Sequence, residues 1–140
     1  MTKSKILIGI TLLTGSLSCH AQQSAKDVFA KMPLSFTPYL TDNDKLDMID
    51  FVESGLKAEV RNKLGGKSVM TQLSADSLTV VLSETRSMTL QLLPVSEPVD
   101  SCQQVVRLTN VHGREIKEKK VEFFSVNWRK LDSEKNPTLK

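Results

Sequence analysis

Hydrophobic and polar residues alternate in short runs through the chain after residue 68. Alternation with a period of two puts the apolar side chains on one face of a β-strand and the polar ones on the other. Short segments rich in Ser, Asp, Gly or Pro separate the runs, as in antiparallel strands joined by tight turns. The pattern predicts an antiparallel meander of about five strands, near residues 69–73, 78–82, 88–92, 105–108 and 121–125, with Pro94 and Pro98 in a loop.

Before residue 60 the apolar residues follow a helical spacing instead. Residues 24–31 favour a first helix, which Pro33 stops. Thr41 and Asp44 have the spacing of a capping box, and the nearby acids suit the positive end of a helix dipole. One or two N-terminal helices followed by an antiparallel sheet indicate an α+β fold, in which the helices pack on the sheet.

The helix that begins near Asp42 has one broad apolar face, formed by Leu46, Met48, Ile49, Phe51, Val52 and Leu56. We expect Asp47 and Asp50 to face water, and Ile49, Phe51 and Val52 to pack on the sheet. The end of this helix has two interpretations. Gly55 closes it and a strand follows from Ala58, or the apolar stripe continues to Leu64 and ends at two glycines. The sequence slightly favours the break at Gly55.

The first 21 residues have the pattern of a secretory signal peptide. Lys3 and Lys5 give a positive start, and residues 6–17 form an apolar stretch that is too short to span a bilayer, which takes about 20 residues. Cleavage between Ala21 and Gln22 would give a soluble product, and the alternative is a lipoprotein acylated at Cys19. The organisation predicted is a signal peptide over 1–21, a single domain over 22–131 and a flexible tail over 132–140.

Either cleavage route exports the chain, so we expect a periplasmic or outer-membrane-associated protein of the cell envelope. The mature chain would have no transmembrane helix, although the lipoprotein alternative would anchor it by lipid. Loss or lipidation of Cys19 leaves Cys102 as the one remaining thiol, because the sequence has two cysteines. We therefore expect Cys102 to lack an intramolecular disulfide and to act as a small buried apolar residue.

The charge balance argues against nucleic acid as a partner. The whole chain has a formal net charge of +3. Removal of residues 1–21 takes away two lysines and no acid, so 17 basic and 16 acidic side chains remain. A nucleic-acid-binding protein needs a basic face and often stacked aromatic residues, and this chain has only seven aromatic residues.

The sequence contains no recognisable catalytic, cofactor-binding or metal-binding motif. His112 is the only histidine beyond the leader, which excludes multi-histidine metal sites there. A nucleophile pair formed by Cys102 and His112 is conceivable, but His112 precedes Gly113 in a predicted hairpin turn. The acidic cluster over 42–53 fails the spacing of a calcium loop, and Gly65, Gly66, Lys67 and Ser68 fit a turn better than a phosphate loop. We predict no enzyme activity, no metal and no cofactor.

Four segments together resemble a known family. They read LDMIDF at 46–51, NKLGGKS at 62–68, LLP at 92–94 and VEFFSVNW at 121–128. The chain resembles an uncharacterised family of small exported proteins in the Bacteroidales, over about residues 24–131. The resemblance implies export and a single domain, and it transfers no activity and no site residue. Asp76, Ser77 and Leu78 also resemble the three-residue acceptor used for O-glycosylation of exported proteins in that phylum, which makes Ser77 a candidate glycosylation site.

The function expected from the sequence is that of a non-enzymatic binding module of the cell envelope. Its partner would be another envelope protein or a surface ligand, bound through the open face of the sheet or through the helix. One alternative is an enzyme of hydrolase type with an unrecognised site involving Cys102 or His112. The other alternative is a structural component of the envelope. An exposed sheet face would favour the binding module, and a deep polar pocket holding Cys102 or His112 would favour the enzyme.

Overall fold

The computed structural model of the protein describes residues 22–135 and residue 139. Within residues 22–135, two helices, a short 3-10 turn and seven strands follow one another. The helices are α1, Ala25–Ala30, and α2, Asp42–Glu53, with the 3-10 turn Leu34–Phe36 between them. The strands are β1 (Ala58–Arg61), β2 (Lys67–Leu73), β3 (Ser77–Ser83), β4 (Arg86–Val99), β5 (Cys102–His112), β6 (Glu118–Ser125) and β7 (Lys130–Leu131).

The seven strands form one antiparallel sheet in the order of the sequence, β1 to β7. The predicted α+β class and the antiparallel meander are confirmed, but the strand count of about five is too low. The additional strands are the two edge strands, which have four and two residues. The favoured break at Gly55 already implied the strand from Ala58, whereas β7 contains too few residues for alternation to be visible.

Strand β4 also continues where a loop was expected, so the placement of Pro94 and Pro98 in a loop is wrong. Beyond Gln91, which pairs with Ser77 at the start of β3, strand β4 pairs only with β5. Pro94 lies opposite Gln104, and the register shifts between Pro94 and Val99. A proline lacks the N–H that a central strand needs, but an edge position tolerates it.

The helix boundaries follow the sequence signals closely. The Ser24 side chain accepts a hydrogen bond from the Asp27 N–H at the start of α1. The Thr41 hydroxyl accepts from the Asp44 N–H while the Asp44 carboxylate accepts from the Thr41 N–H, which completes the predicted capping box. Helix α2 ends at Glu53, and Gly55 follows with a φ of +71°. The favoured break at Gly55 is therefore confirmed over the extension to Leu64.

The apolar core lies between the helices and one face of the sheet. The central strands alternate strictly, with Leu78, Val80 and Leu82 of β3 buried and the residues between them partly exposed. The other buried residues of this core include Val28, Phe29, Met32, Leu40, Met48, Ile49, Met88, Leu90, Leu92, Val106, Leu108 and Phe124. Trp128 closes one side, since its ring packs on Phe36 and Phe124 and its indole N–H donates to the Val28 carbonyl at 3.0 Å.

Helix α2 buries a narrower face than its spacing predicts. Met48 and Ile49 are buried and Phe51 and Val52 are partly buried, whereas Leu46 and Leu56 are 49% and 60% exposed. The assignment of Leu46 and Leu56 to the sheet-facing side is therefore wrong. Lys45 occupies a buried position instead, because its ammonium group reaches the end of α1. The expectation for Asp47 and Asp50 is confirmed, since both are exposed.

Candidate functional site

The sheet has one face under the helices and a second face on which no described helix packs. Residues on this second face alternate with the buried core residues and stay partly exposed in the central strands. We call this surface the open face and define it by the outward residues of β1 to β6: Glu59, Arg61, Lys67, Val69, Thr71, Gln72, Ser77, Thr79, Val81, Ser87, Thr89, Gln91, Leu93, Arg107, Thr109, Val111, Lys119, Val121 and Phe123.

Strand register places three threonines side by side in the middle of the open face. Thr79 pairs with Thr89, and Thr89 pairs with Thr109, on three adjacent strands. The hydroxyl oxygens of Thr79 and Thr89 lie 3.1 Å apart, within hydrogen-bond distance. β-branched side chains fit a pleated sheet well, which explains why threonine occupies these half-buried positions. The row continues on β6 with Val121, which is 37% exposed.

The threonine row lies between two further rows of different character. On one side Val69, Val81 and Val111 line up with Ser87 in an aliphatic row. On the other side Gln91 of β4, Arg107 of β5 and Phe123 of β6 stand next to one another. The open face therefore presents methyl groups, hydroxyl groups, one amide and one guanidinium on a sheet. This mixture of apolar and polar groups is that of an ordinary protein exterior, and non-obligate interfaces have about the same apolar share.

Arg107 is the charged residue nearest the centre of the open face. Its side chain is partly buried, and its Nε is buried without any hydrogen-bond partner among the residues that the structure describes. No acidic side chain of the described chain forms an ion pair with it. A buried donor without an acceptor is costly unless a binding partner supplies one.

The one acid of the open face is already neutralised. Glu59 accepts from Lys57 and Lys67, each at 2.7 Å. These hydrogen bonds, that from Lys57 first, hold the pKa of Glu59 below its ordinary value. The remaining charged groups of the face, Arg61, Arg107 and Lys119, are all basic. The open face therefore carries a net positive charge.

A corner of the sheet on this side is closed by the chain itself. Val105 and Ser125 are paired in register and fully buried, and Leu131 of β7 is 7% exposed. The turn before β7 folds against this corner, with the Ser125 hydroxyl accepting from the Arg129 N–H at 3.1 Å. The Arg129 guanidinium donates to both carboxylate oxygens of Asp100, and these bonds hold the pKa of Asp100 below its ordinary value.

The acidic cluster of α2 lies on the opposite side of the molecule and forms no site. Asp44 caps the helix, Asp42 pairs with Lys45 at 2.9 Å, and Asp47 and Asp50 point into solvent. Residues 22–135 contain no group of three or more His, Cys, Asp or Glu side chains that could hold a metal ion. The interpretation of these acids as a solvated helix face is confirmed for Asp47 and Asp50.

Cys102 and His112 do not form a nucleophile pair. They are the first and the last residue of β5, which puts them about 33 Å apart at a rise of about 3.3 Å per residue. His112 is exposed at the start of the turn, as expected. Cys102 is 5% exposed, in agreement with the predicted burial, but it is disulfide-bonded. The expectation of Cys102 without a disulfide is therefore wrong.

The structure does not test the predicted glycosylation site or the predicted cleavage and lipidation sites. Ser77 is the first residue of β3 and follows a tight turn in which the Ser74 hydroxyl accepts from the Ser77 N–H at 3.1 Å. Its side chain is partly exposed, and glycosylation there stays a prediction. Gln22 is exposed at the start of the described chain. The predicted leader over 1–21, with Cys19 and Ala21, lies outside the described residues.

Residues 62–66 form the turn that the glycines predict. The Asn62 side chain organises it, accepting from the N–H groups of Leu64 and Gly66 and donating to Ser68 and to the Leu82 carbonyl. Every polar atom of the Asn62 amide therefore has a partner inside the protein. A groove of about 540 Å³ lies beside this turn and contains Glu84 and Arg114, which pair with each other at 2.7 Å. It contains neither Cys102 nor His112.

Arg107 and the threonine row were not predicted as site residues from the sequence. The signal that could have found them is the alternation itself, since Arg107 and Thr109 fall between the buried Val106, Leu108 and Asn110. That polar positions on three adjacent strands are aligned can be recognised only when the register of those strands is known. Register depends on the turns and on the bulges between Met70 and Gln72 and between Val81 and Ser83, which the sequence does not reveal.

Comparison with known proteins places the chain in a family. A family described as "Protein of unknown function (DUF3256)" matches residues 16–139. The chain belongs to this family. The expected resemblance to an uncharacterised family is thereby confirmed, and membership in DUF3256 assigns no activity. None of the helices within residues 22–135 is long and apolar enough to cross a membrane.

The fold of this DUF3256 protein also occurs among solved structures. One is described as the structure of a domain of an uncharacterized protein from Porphyromonas gingivalis W83, with a TM-score of 0.66 and 17% identity. The match covers 82% of this chain and 57% of that chain, so this protein spans less than two thirds of its length. At that identity the likeness shows the fold alone. No curated protein matches this chain.

Proposed function

We propose that this DUF3256 protein is a non-enzymatic binding module of the cell envelope that holds a protein partner on its open face. The observation that supports the proposal is the threonine row of Thr79, Thr89 and Thr109, flanked by aliphatic side chains and by Arg107. Such a surface offers regularly spaced methyl and hydroxyl groups that a partner can cover. It offers no nucleophile next to a base, which catalysis of the hydrolase type requires.

Export is the second part of the proposal and rests on the sequence. Residues 1–21 begin with Lys3 and Lys5 and continue with the apolar stretch 6–17, which is the pattern of a secretory signal. A protein exported in this way works in the periplasm or at the outer membrane. Its partner is then another protein of the cell envelope.

Site-specific photo-crosslinking in the native host tests the binding surface. A photo-crosslinking amino acid replaces Thr79, Thr89 or Thr109 on the open face, one at a time, in the tagged full-length chain. The matched control carries the same amino acid at Asp47, which is exposed on α2. The proposal predicts one adduct of the same mass from all three threonine positions and none from Asp47.

A disruptive substitution in the crosslinked protein tests whether the adduct reflects binding to the open face. Val81→Asp places a charge in the aliphatic row and should abolish the adduct formed at Thr89, while Asp50→Ala on α2 should leave it unchanged. Melting temperatures of both variants show that each is folded. An adduct that forms equally from Asp47, or one that survives Val81→Asp in a folded protein, would contradict the proposal.

A further inference from the structure

The open face contains a guanidinium that lacks the anion it is suited to bind. Arg107 stands between Gln91 and Phe123 in the strand register, on one of the central strands of the sheet. Its Nε is buried without an acceptor among the described residues, although a planar guanidinium donates best to both oxygens of one carboxylate. The Asp100 and Arg129 pair shows that bidentate arrangement elsewhere in the same protein.

We propose that Arg107 binds a carboxylate of the partner, so that the open face receives an acidic, extended segment of another protein. This inference rests on the proposed function and names the chemistry of the partner. The carboxylate would accept from the guanidinium of Arg107, with the side-chain amide of Gln91 as a further donor beside it. Phe123 gives the pair an apolar neighbour that lowers its contact with water.

The distribution of charge on the molecule supports an acidic partner. The single acid of the open face, Glu59, is engaged by two lysines, and the other charged groups of the face are basic. Helix α2, on the other side of the sheet, contains five acids and one lysine over Asp42–Glu53. An acidic segment is therefore attracted to the open face and repelled by the helix side, which orients its approach.

The open face does not have the features of a membrane-binding surface. A protein that inserts into a lipid surface presents large apolar side chains to solvent beside its basic residues. Among the described residues the exposed large apolar side chains are Leu34, Leu46, Leu56, Leu64, Ile116 and Val121. Only Val121 belongs to the open face. A protein segment fits this surface better than a lipid headgroup, and the following experiment separates the two.

Selection from a library of random displayed peptides, on the immobilised full-length protein, tests the proposal. Selected peptides should be enriched in Asp and Glu, and each should bind Arg107→Gln at least about tenfold more weakly, because a charge-assisted hydrogen bond is lost. The matched control is Lys31→Gln, which removes an equal charge from an exposed position after α1, outside the open face, and should change binding by less than about threefold. Arg107→Lys keeps the positive charge but cannot donate two parallel hydrogen bonds to one carboxylate. Its loss of peptide affinity should lie between that of Arg107→Gln and that of the control variant.

Several results would overturn the proposal. Peptides without acidic enrichment that bind Arg107→Gln as well as the native protein would refute the carboxylate, and the proposed function would stand if Val81→Asp still abolished their binding. Failure to select any peptide that Val81→Asp disrupts would count against both. Binding to phosphatidylglycerol vesicles that depends on Arg107, without peptide binding, would assign the surface to lipid. Melting temperatures establish that Arg107→Gln is folded, and Arg107→Lys supplies the comparison if it is not.

Discussion

Lys45 is the one charged residue that is buried within the part of the chain that the structure describes, and its environment explains why a lysine is tolerated there. Its ammonium group donates to the carbonyls of Met32 at 2.6 Å and Ala30 at 3.3 Å and pairs with the Asp42 carboxylate. Carbonyl groups at a helix C-terminus have no partner within the helix, so Lys45 satisfies the end of α1 from the neighbouring helix. The side chain thus fastens α2 to α1.

The substitution Lys45→Met keeps most of the side-chain volume and removes these hydrogen bonds. We expect it to lower the free energy of unfolding by about 2–4 kcal/mol, because buried carbonyls and a carboxylate lose their donor. The control Lys31→Met, at an exposed residue after α1, should change stability by less than about 0.5 kcal/mol. Urea denaturation midpoints measure both, and equal midpoints would show that the Lys45 contacts contribute nothing.

In the turn between β4 and β5, the backbone conformation of Ser101 gives a second testable prediction. Asp100 and Ser101 have φ values of +49° and +65°, which is the pattern of a type I′ hairpin turn. Serine is strained in this conformation, whereas glycine is the residue that such turns prefer in the second position. We expect Ser101→Gly to stabilise the protein by about 0.5–1 kcal/mol in thermal or urea denaturation.

The control for Ser101→Gly is a serine-to-glycine substitution that should change stability in the opposite direction. Ser87 lies inside β4 with its side chain on the open face, where glycine adds flexibility without relieving strain. Ser87→Gly should therefore destabilise the protein by about 0.5–1 kcal/mol. If both variants shifted stability in the same direction, the conformation assigned to Ser101 would be contradicted.

At the scale of elements, Met48 and Leu46 of α2 differ in burial, although the apolar spacing of the sequence places both on the same face of the helix. Met48 is fully buried against the sheet, whereas Leu46 is 49% exposed on the same helix. Met48→Ala should cost about 2–5 kcal/mol of stability, and Leu46→Ala less than about 1 kcal/mol. Denaturation midpoints of the two variants measure this, and a larger effect for Leu46→Ala would mean that the helix is rotated from its described orientation.

The elements could be predicted from the sequence where the signal is local. The capping box of Thr41 and Asp44 and the glycine after α2 depend on residues near one another, and both were predicted. The burial of Lys45 was not predictable in this way, because it depends on carbonyls of another helix. The extension of β4 past Pro94 depends on which strands lie beside it, and no local pattern reports that.

For the whole molecule, several ion pairs outside the core make stability depend on pH. Hydrogen bonding by Lys120, at 2.7 Å, holds the pKa of Glu122 below its ordinary value of 4.5. A carboxylate with a depressed pKa in the folded state stabilises the protein above its ordinary pKa, and this contribution is lost as the pH falls through the depressed value. Glu59 and Asp100 have pKa values lowered in the same direction.

We therefore expect the free energy of unfolding to fall as the pH drops below about 4.5, where the unfolded chain takes up protons first. Glu122→Gln should reduce the steepness of this acid dependence, because it removes one of the carboxylates whose pKa is lowered. Glu97→Gln is the control, at an exposed residue without an ion pair among the described residues. Urea midpoints measured across acidic pH test this, and an unchanged slope in Glu122→Gln would refute the assigned role of Glu122.

The candidate site is formed by residues from several strands. The sequence therefore indicated that a sheet face could bind a partner, but it did not indicate which residues form that face. Alternation predicted a sheet with a polar side, and the hypothesis of binding through an open sheet face followed from that. The alignment of Thr79, Thr89 and Thr109 requires the register of three strands. The isolation of Arg107 requires knowing that no acid of the described residues forms an ion pair with it, and that Glu59, the acid of the open face, is engaged by two lysines.

Hydroxyl-radical footprinting tests most directly whether the open face is a binding surface. The oxidation of Val121 and Phe123 on the open face is compared with that of Leu46 and Leu56 on the helix side, in purified protein and in envelope extract of the native host. We predict that Val121 and Phe123 become protected in the extract while Leu46 and Leu56 keep their reactivity. Unchanged oxidation of Val121 and Phe123, or protection confined to Leu46 and Leu56, would show that the open face is not the binding surface.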